Sequence, residues 1–582
     1  MSRQGSIPVQ HYGDFVGGLN NIMSQAKVAD NESPSLQNIE FVENGIPGKR
    51  RGTAAYGNSV GAYSVSCLAS QYLSSGARNF LMVANGTLYQ LSGTTWGAVT
   101  GKTFATGQVN VVQVNDSAYL HDGTNSMGKY DGTTLSTPST GVTASFGIFF
   151  QGKHVASGNP TNPSRLYIAA SGSPDDFIGS SGTATGTQTS STIQDTSQSW
   201  TTNEFAGLTV VLTSGTGAGQ SRAITSNTGN TITVGTVWTT TPDTTSKYTI
   251  DGGNTIDISK NDGQKITGLA KFYSNLIVFK ERSIYQLSFD SSDNPTVQLV
   301  TALNGCVSHR SIDVVENDIY FLANDGVRSL GYVPYLPGII RTTKMSLKIN
   351  ASILNINSSY YSGCCGIYFD NKYFLSYPSG SSKTNDTVIV FQLLYGSWTL
   401  WNGINCNYFD EFVDTSNKVT LYSGTDTNAQ VVQMLSTVYT DQGAAINGIW
   451  YSKQYDLGAF DLSKRYLFLD IQVRSLTGTL GIDVILDGSV VANSPSISST
   501  FTSKDGIRIF QLRTSMERQQ LGSSALYVAT DDTRRIKVNK QAKTIQVRVY
   551  NDNPGETFTV MGIGIGYRSL GPNRFDSSKI LY

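Results

Sequence analysis

Short runs of alternating apolar and polar residues, separated by turn residues, follow one another along most of the chain. In the stretch 39–50, the apolar residues Ile39 and Phe41 are two positions apart, which is the period of a half-buried strand. The dipeptide Asn44-Gly45 follows, and it is the strongest short-range signal for a hairpin turn. The pattern predicts a hairpin whose second strand ends at or just before three consecutive cations, Lys49, Arg50 and Arg51.

A unit of paired strands recurs at intervals of about 40 to 45 residues from about residue 60 onward. Copies lie at residues 80–99, 117–135, 275–289, 318–332, 372–403 and 418–435. One such unit cannot bury both of its faces, so several must pack side by side, as the blades of a β-propeller do. We therefore expect the Trp and Tyr residues at the ends of the copies to pack between blades.

Two parts of the chain depart from this repeat. Residues 179–250 are almost all Gly, Ser, Thr and alternating apolar residues, including Trp200 and Trp238, which predicts a small β domain inserted between blades. Beyond about residue 446 the alternating runs are longer and predict a β-sandwich. Helix is expected in only two places, after a Ser33-Pro34 start and over residues 341–357.

The predicted fold class is therefore all-β. It consists of a β-propeller with a small inserted β domain and a C-terminal β-sandwich that forms a platform with N-terminal segments. We expect an N-terminal arm and hairpin at 1–55, the first blades at 56–178, and the inserted domain at 179–250. The remaining blades are expected at 251–445 and the sandwich platform at 446–582.

Composition restricts the classes of function. The 42 Lys and Arg residues balance 42 Asp and Glu residues, which argues against a nucleic-acid binder that works through a broad cationic face. The five cysteines are irregularly spaced, which predicts reduced, buried thiols rather than a disulfide framework or a zinc site. The sequence shows neither the apolar core of a signal peptide nor an apolar run long enough to span a membrane, so we expect folding in a cytoplasm.

A search for chemistry finds no convergent site. Residues 97–103, GAVTGKT, are one residue short of a phosphate-binding loop and precede a strand instead of a helix. The four histidines are scattered, and the adjacent pair Asp175 and Asp176 is more typical of a turn than of acid–base catalysis. A propeller hydrolase would need carboxylates that converge on the propeller axis, and the sequence indicates none. We expect no catalytic residue, no cofactor and no metal.

The cations Lys49, Arg50 and Arg51 form the densest positive cluster in the first part of the chain. Two interpretations are open from the residues alone. They could lie on an exposed strand edge, where charge blocks unwanted pairing. Alternatively, they could form a docking surface for an acidic partner.

Residues 17–53, GGLNNIMSQAKVADNESPSLQNIEFVENGIPGKRRGT, resemble the N-terminal signature of the tail nozzle proteins of short-tailed bacteriophages, also called tail tubular protein B or tail stabilisation protein. The similar positions are Gly18, Asn20, Glu32, Asn38, Gly45, Arg50 or Arg51, and Gly52. Further similar stretches lie at residues 165–177, 275–287, 317–330 and 390–401. The resemblance covers much of residues 15–435 and extends weakly into the C-terminal part.

The resemblance implies a virion protein that is assembled in the host cytoplasm into a homo-hexameric ring at the distal end of the tail. The ring would dock on the head–tail adaptor, carry a tailspike or tail fibre, and pass double-stranded DNA non-specifically through its lumen. Contact with the host cell surface is a further expected interaction, and the insert 179–250 is expected at the periphery or tip. The resemblance also places Lys49, Arg50, Arg51, Glu32 and Asn38 near subunit or adaptor contacts.

The alternative is a carbohydrate-binding or receptor-binding β-propeller tail protein without a channel role. Exposed Tyr and Trp side chains would suit the stacking of sugars in such a protein. A glycan-array signal from the isolated insert would favour this alternative.

Overall fold

The structure is a computed structural model that describes residues 7–42, 45–138, 140–170, 172–177, 180–200, 202–203, 205–251, 254–290, 295–335, 338–474, 478–491, 496–498 and 532–570. Nearly all regular structure in these residues is β-strand, which confirms the predicted all-β class. No helix in this part of the chain is long and apolar enough to span a membrane.

Seven short strands occupy the N-terminal segment. They are β1 (Val9–Tyr12), β2 (Gly18–Leu19), β3 (Glu32–Ser33), β4 (Leu36–Gln37), β5 (Ile39–Val42), β6 (Ile46–Lys49) and β7 (Ala54–Tyr56). The predicted hairpin is confirmed, because β5 and β6 pair antiparallel from Ile39 opposite Lys49 to Val42 opposite Ile46. Of the predicted turn, Asn44 lies outside the described residues, and Gly45 has a φ of +76°, the left-handed conformation that favours glycine.

The prediction of a helix that starts at Ser33-Pro34 is wrong. Ser33 ends β3, and its hydroxyl lies 2.7 Å from each of the carbonyl oxygens of Ser35 and Tyr451, which share its single proton. A serine caps a helix only by accepting from backbone N–H groups further along its own segment. Here the contact with Tyr451, far away in the sequence, holds the segment extended.

Seven four-stranded antiparallel sheets follow in the described part of the chain, and we number them blades 1 to 7. Blade 1 consists of β8 (Val65–Tyr72), β9 (Arg78–Ala84), β10 (Thr87–Ser92) and β11 (Thr95–Val99). Blade 2 consists of β12 (Asn110–Val114), β13 (Ser117–His121), β14 (Gly128–Tyr130) and β15 (Leu135–Ser136). Blade 3 consists of β16 (Phe146–Phe150), β17 (Lys153–Ser157), β18 (Arg165–Ile168) and, after the insert, β25 (Asn254–Asp257).

Blade 4 consists of β26 (Ile266–Phe272), β27 (Asn275–Lys280), β28 (Ile284–Phe289) and β29 (Pro295–Thr301), and blade 5 consists of β30 (Asp313–Val315), β31 (Asp318–Ala323), β32 (Gly326–Tyr332) and β33 (Ile340–Lys344). Blade 6 consists of β34 (Cys365–Phe369), β35 (Lys372–Tyr377), β36 (Thr387–Gln392) and β37 (Ser397–Asn402). Blade 7 consists of β38 (Cys406–Val413), β39 (Val419–Thr425) and β40 (Val431–Gln433) together with the N-terminal strand β7.

The blades form a closed ring. The first strand of each blade lies beside the first strand of the next, and β38 of blade 7 lies beside β8 of blade 1. An apolar cluster fills each of the seven junctions, and Trp96 and Tyr130 are buried in two of them, as predicted. The N-terminal strand β7 pairs with β40, Ala54 opposite Gln433 and Tyr56 opposite Val431, and so completes blade 7. The predicted β-propeller is confirmed.

The insert interrupts blade 3 and does not lie between blades, which corrects the predicted position. Strands β18 and β25 pair from Arg165 opposite Asp257 to Ile168 opposite Asn254, and the insert leaves and re-enters the ring between them. Its strands are β19 (Ser181–Thr183), β20 (Thr192–Gln194), β21 (Thr209–Ser214), β22 (Ser221–Asn227), β23 (Thr231–Val234) and β24 (Lys247–Asp251), which form one six-stranded sheet. They enclose an apolar core of their own that includes Phe205, Trp238 and Tyr248.

In the described residues, α-helix occurs in one short stretch after blade 5. The predicted helix at 341–357 begins as β33, whose backbone pairs with β32, and this pairing overrides local helix propensity. A 3-10 turn at Leu347–Ile349 and the helix α1 (Asn350–Leu354) follow. The other 3-10 segments that the structure describes are His309–Ser311 and Ser358–Gly363.

Two further sheets form the platform. The C-terminal strands are β41 (Thr440–Asp441), β42 (Ala444–Ala445), β43 (Gly448–Tyr451), β44 (Lys464–Arg474), β45 (Thr479–Leu486), β46 (Ser489–Val490), β47 (Ser496–Ser498), β48 (Asp532–Ala542), β49 (Ile545–Asn551) and β50 (Thr559–Ser569). One sheet has the order β48-β44-β50-β6-β5 with β1 on β50, and the other has the order β4-β43-β49-β45-β46 with β47 on β45. N-terminal strands thus complete both sheets, as predicted for the platform. Their facing sides share one apolar core, which continues into blades 5 and 6.

Candidate functional site

The segment that carries the resemblance, residues 17–53, connects the platform to the propeller. It supplies strands to both platform sheets and leads directly into β7, the closing strand of the ring. We call the polar contacts of Asn20, Glu32, Asn38, Lys49 and Arg50 the joint.

Arg50 is the centre of the joint, and its side chain is 0% exposed. Its guanidinium binds the Asp441 carboxylate through two hydrogen bonds, Nη1 to Oδ1 at 3.0 Å and Nη2 to Oδ2 at 2.5 Å. Nε donates to Asn38 Oδ1 at 2.9 Å, and Nη2 also donates to the carbonyl oxygen of Asn402 at 3.1 Å. The guanidinium carbon lies 5.5 Å from the centre of the Trp401 ring. The guanidinium group of Arg50 therefore binds three parts of the chain: blade 6 through Asn402, the platform connection (the segment around Asp441 between blade 7 and the platform), and the N-terminal segment through Asn38.

Asn38 is the second member of the joint, and it holds an unusual backbone conformation with φ +54°. After glycine, asparagine is among the residues that adopt this left-handed region most readily. Its amide donates to Asn402 Oδ1 at 2.7 Å and to the Asn447 carbonyl at 3.0 Å. Its Oδ1 accepts from the backbone N–H of Asn402 at 2.9 Å, besides the bond from Arg50. The Asn38 side chain therefore adds to the backbone hydrogen bond that its own N–H donates to the Leu400 carbonyl oxygen of β37 at 2.8 Å.

Lys49 is also buried, with 1% of the residue exposed. Its Nζ donates to Asn551 Oδ1 at 2.7 Å and to the carbonyl oxygen of Asn553 at 2.9 Å. Burial lowers the pKa of Lys49 to about 8, and the carboxylates of Glu556 and Asp552 oppose this shift. Lys49 thus attaches the hairpin to the β49–β50 loop of the platform.

Glu32 lies at the other end of the joint and contacts the short helical region. Its carboxylate accepts from Asn20 Nδ2 at 2.7 Å and from the backbone N–H of Ala29 at 2.9 Å, and it pairs with Lys348 Nζ at 2.9 Å. Burial alone would raise the pKa of Glu32, but these hydrogen bonds and the ammonium of Lys348 hold it below its ordinary value.

The structure buries two of the three cations, Lys49 and Arg50, and leaves the third, Arg51, accessible. Lys49 and Arg50 are not on an exposed edge, which contradicts that alternative, and their polar partners belong to their own chain. Only Arg51 keeps an accessible side chain, 37% exposed, and its Nε pairs with Glu40 Oε1 at 3.2 Å. The subunit or adaptor contact expected for these residues stays a prediction, and Arg51 is the cation through which a second chain could be reached without unfolding the joint.

Two glycines of the resembling positions have a clear physical reason. Gly18 has a φ of +69°, and a Cβ there would lie against the backbone of Trp398 in blade 6. At Gly52 a Cβ would overlap the carbonyl oxygen of Thr440. Both positions let the N-terminal segment pass in direct backbone contact with the ring or the platform connection.

Carboxylates do lie on the inner strands of the propeller, which the sequence did not indicate. Burial and, to a smaller extent, the charge of Glu411 raise the pKa of Asp313 on β30 to about 6 and that of Asp410 on β38 to about 7. Asp313 accepts a backbone hydrogen bond from Tyr368 at 2.6 Å, and Asp410 accepts one from the Ser70 hydroxyl at 2.7 Å. Both carboxylates are thus hydrogen-bonded within the ring. They come from blades 5 and 7, so no local motif could have revealed them.

Histidines that are scattered in the sequence also converge. His154 Nδ1 donates to the carbonyl oxygen of Pro174 at 2.9 Å, so its Nε2 is the acceptor in the 3.1 Å contact with His121 Nε2. His121 Nδ1 is then an unprotonated, buried nitrogen without a hydrogen-bond partner. The described residues contain no group of three or more His, Cys, Asp or Glu side chains that could hold a metal ion.

The adjacent carboxylates Asp175 and Asp176 lie in a turn, as the sequence indicates. Asp175 pairs with Lys129 at 2.7 Å, and the backbone N–H of Asp176 donates to the carbonyl oxygen of Ser173 at 3.0 Å. This geometry is structural and gives no acid–base pair.

No protein-family model matches the chain, and no curated protein matches it. Among solved structures, the chain is similar to the computationally designed Ika8 protein, with a TM-score of 0.33 and 12% identity over 66% of this chain and 99% of that one. It is also similar to YCF48 bound to a peptide (TM-score 0.34, 8% identity, 69% and 97% covered) and to the AfRom2 CNH domain (0.33, 8%, 66% and 99%). The propeller assignment rests on the strand pairing of this chain, and these similarities say nothing about its function.

Proposed function

We propose that the chain is a structural protein of the short tail of a bacteriophage. In this proposal several copies, six by the resemblance, form a ring-shaped nozzle at the distal end of the tail. The ring docks on the head–tail adaptor and provides the channel through which the genome leaves. No step requires catalysis, a cofactor or a metal.

The observation that carries the proposal is the position of the resembling segment. Residues 17–53 contain the joint: they supply strands to both platform sheets, hold blade 6 through Arg50 and Asn38, and lead into the strand that closes the ring. A subunit that binds an adaptor on one side and extends a propeller on the other needs these parts to be rigidly connected. The buried polar network of the joint supports such a role.

The charge of the chain is compatible with a channel for DNA. A lumen that passes DNA must not retain it, and cationic grooves bind phosphates strongly. The net charge is zero, and the two most buried cations of the N-terminal segment are engaged within the chain. The proposal therefore includes a neutral or acidic lumen.

The decisive experiment is the native mass and negative-stain image of the purified full chain, alone and with the head–tail adaptor of the same virus. The proposal expects a ring with an axial hole in one of the two samples. A monomer that persists at high concentration and ignores the adaptor would overturn it and favour the carbohydrate-binding alternative.

A further inference from the structure

A cavity of about 570 Å³ opens at the end of the propeller axis where the inner strands begin. Its walls come from blades 2 to 6, and residues at or just before the start of inner strands line it, among them Asn110, Phe146, Ile266 and His309. The size is within the range of pockets that hold small molecules, about 300 to 1,000 Å³. Propeller blades surround a central channel, so several blades can contribute side chains to one concave site.

Arg310 lines this cavity from the 3-10 turn that precedes blade 5. The residue is only 9% exposed and extends toward blade 7. There, Nη2 donates to the carbonyl oxygen of Asn407, and the guanidinium carbon lies 4.4 Å from the centre of the Tyr408 ring.

The charge of Arg310 is incompletely compensated. Its Nε and Nη1 atoms are buried without a hydrogen-bond partner, and no carboxylate of the described residues forms an ion pair with it. Asp122, which also lines the cavity, is already engaged by the backbone N–H groups of Ala105, Thr124 and Asn125. Burying a cation without an anion is costly, and an external oxyanion would offset this cost.

We propose that this cavity binds a small molecule that carries an oxyanion, either a carboxylate or a phosphate, and that Arg310 is its charge partner. The guanidinium turns from the Tyr408 ring and the Asn407 carbonyl toward the cavity and binds the oxyanion through two parallel N–H donors. Lys265 at the rim supplies a second positive charge, because it is 64% exposed and lies 3.9 Å from its nearest carboxylate, Glu281. This site is independent of the nozzle proposal.

Calorimetric titration of the full chain at low salt tests the proposal with three probes: inorganic phosphate, glucuronate and uncharged glucose. At least one of the two anions binds saturably, and glucose does not bind. The two anions distinguish a phosphate ligand from a carboxylate ligand. In Arg310→Met the affinity for the bound anion falls by about tenfold or more, because a charge-assisted bidentate contact is lost.

Two further variants separate binding from folding. Gln108→Trp at the exposed rim narrows the cavity without altering buried residues and weakens binding of the same anion, even if Arg310→Met does not fold. Arg341→Met, which removes an exposed cation from the outer strand β33, is the matched control and leaves binding unchanged. Failure of both anions to bind, equal binding of glucose, or full affinity in Gln108→Trp or in folded Arg310→Met overturns the proposal.

Discussion

At the scale of single residues, the joint depends on buried charges that are compensated within the chain. Arg50 combines a two-point contact with Asp441, three further hydrogen bonds and the face of Trp401. Such an arrangement fixes the relative orientation of the bound segments as well as stabilising them, because a guanidinium forms its hydrogen bonds in fixed directions within one plane. Removing one partner leaves a charge that water cannot reach.

We therefore predict that Asp441→Ala lowers the free energy of unfolding by about 3 to 5 kcal/mol, the typical cost of breaking a buried ion pair. Denaturant unfolding of the purified chain measures this cost. The matched control is Asp30→Ala, which removes the carboxylate of the exposed Asp30–Lys453 pair and should cost below about 1 kcal/mol. Equal effects of the two variants would show that the Arg50–Asp441 pair does not hold the joint.

The buried histidines predict a pH dependence of stability. Burial lowers the pKa values of His154 and His309 to about 4 each, although the Pro174 carbonyl partly opposes the shift at His154. In the unfolded chain a histidine titrates near 6.5, so each residue stabilises the fold fully above that pH. Each loses about 3 kcal/mol of stability as the pH falls toward 4, and no more below it.

The comparison of wild type with His154→Gln isolates this effect. Asp313 and Asp410 act in the opposite direction, because carboxyls with raised pKa values stabilise the fold most below about pH 4 and lose this contribution as the pH rises toward 6 or 7. Between pH 7.5 and pH 4, the change in the free energy of unfolding on acidification should be about 3 kcal/mol less unfavourable in the variant than in the wild type, because the carboxyl contributions are common to both. Parallel curves for the two proteins would contradict the histidine assignment.

At the scale of elements, the described residues show the insert leaving and re-entering the ring between strands β18 and β25 of blade 3. Its strands β19 and β24 pair at its base, Ser181 opposite Thr249, so the two chain crossings lie close together. Its apolar core is separate from the clusters at the blade junctions. Loss of the insert therefore removes little from the packing of blade 3.

We predict that replacing residues 181–251 by a short Gly-Ser linker leaves the melting temperature of the remaining chain nearly unchanged. We also expect the isolated residues 180–251 to fold with a cooperative transition of their own. Circular dichroism melts test both statements. Deletion of blade 4, residues 265–301, is the contrasting control, because it removes two junctions and should unfold the ring. A shortened chain that loses its transition would contradict the prediction.

At the scale of the whole molecule, the platform and the propeller share one apolar core in addition to the joint. The two parts therefore form a single mechanical unit. In the single chain, Lys49 and Arg50 are buried, so their side chains are not exposed to a second copy unless the joint rearranges. Among the residues expected at subunit contacts, Arg51 has the accessible side chain, but its replacement also removes the cation beside the buried Glu40 carboxylate, so a test of assembly needs a parallel measurement of stability.

Several features could be predicted from the sequence because they depend on neighbouring residues. The hairpin of β5 and β6 follows from alternation and a Gly turn, and the recurring strand pairs indicate blades. Blade 3 was not recognised, because its fourth strand follows the whole insert and only three strands remain together. The helix at 341–357 was extended too far because strand pairing by β33 depends on a partner outside the segment.

The sequence by itself determined the all-β class, the propeller repeat, the insert and the platform, since these rest on residue periodicity and turn chemistry. The tertiary structure decided where the charges lie. Lys49 and Arg50 read as surface cations, and only the contacts with Asn551, Asp441 and Asn402, hundreds of residues away, make them internal. The tertiary structure also determined the strand that closes the ring, the axial cavity and the environment of Arg310. Burial and electrostatic compensation depend on which distant strands the closed ring brings together.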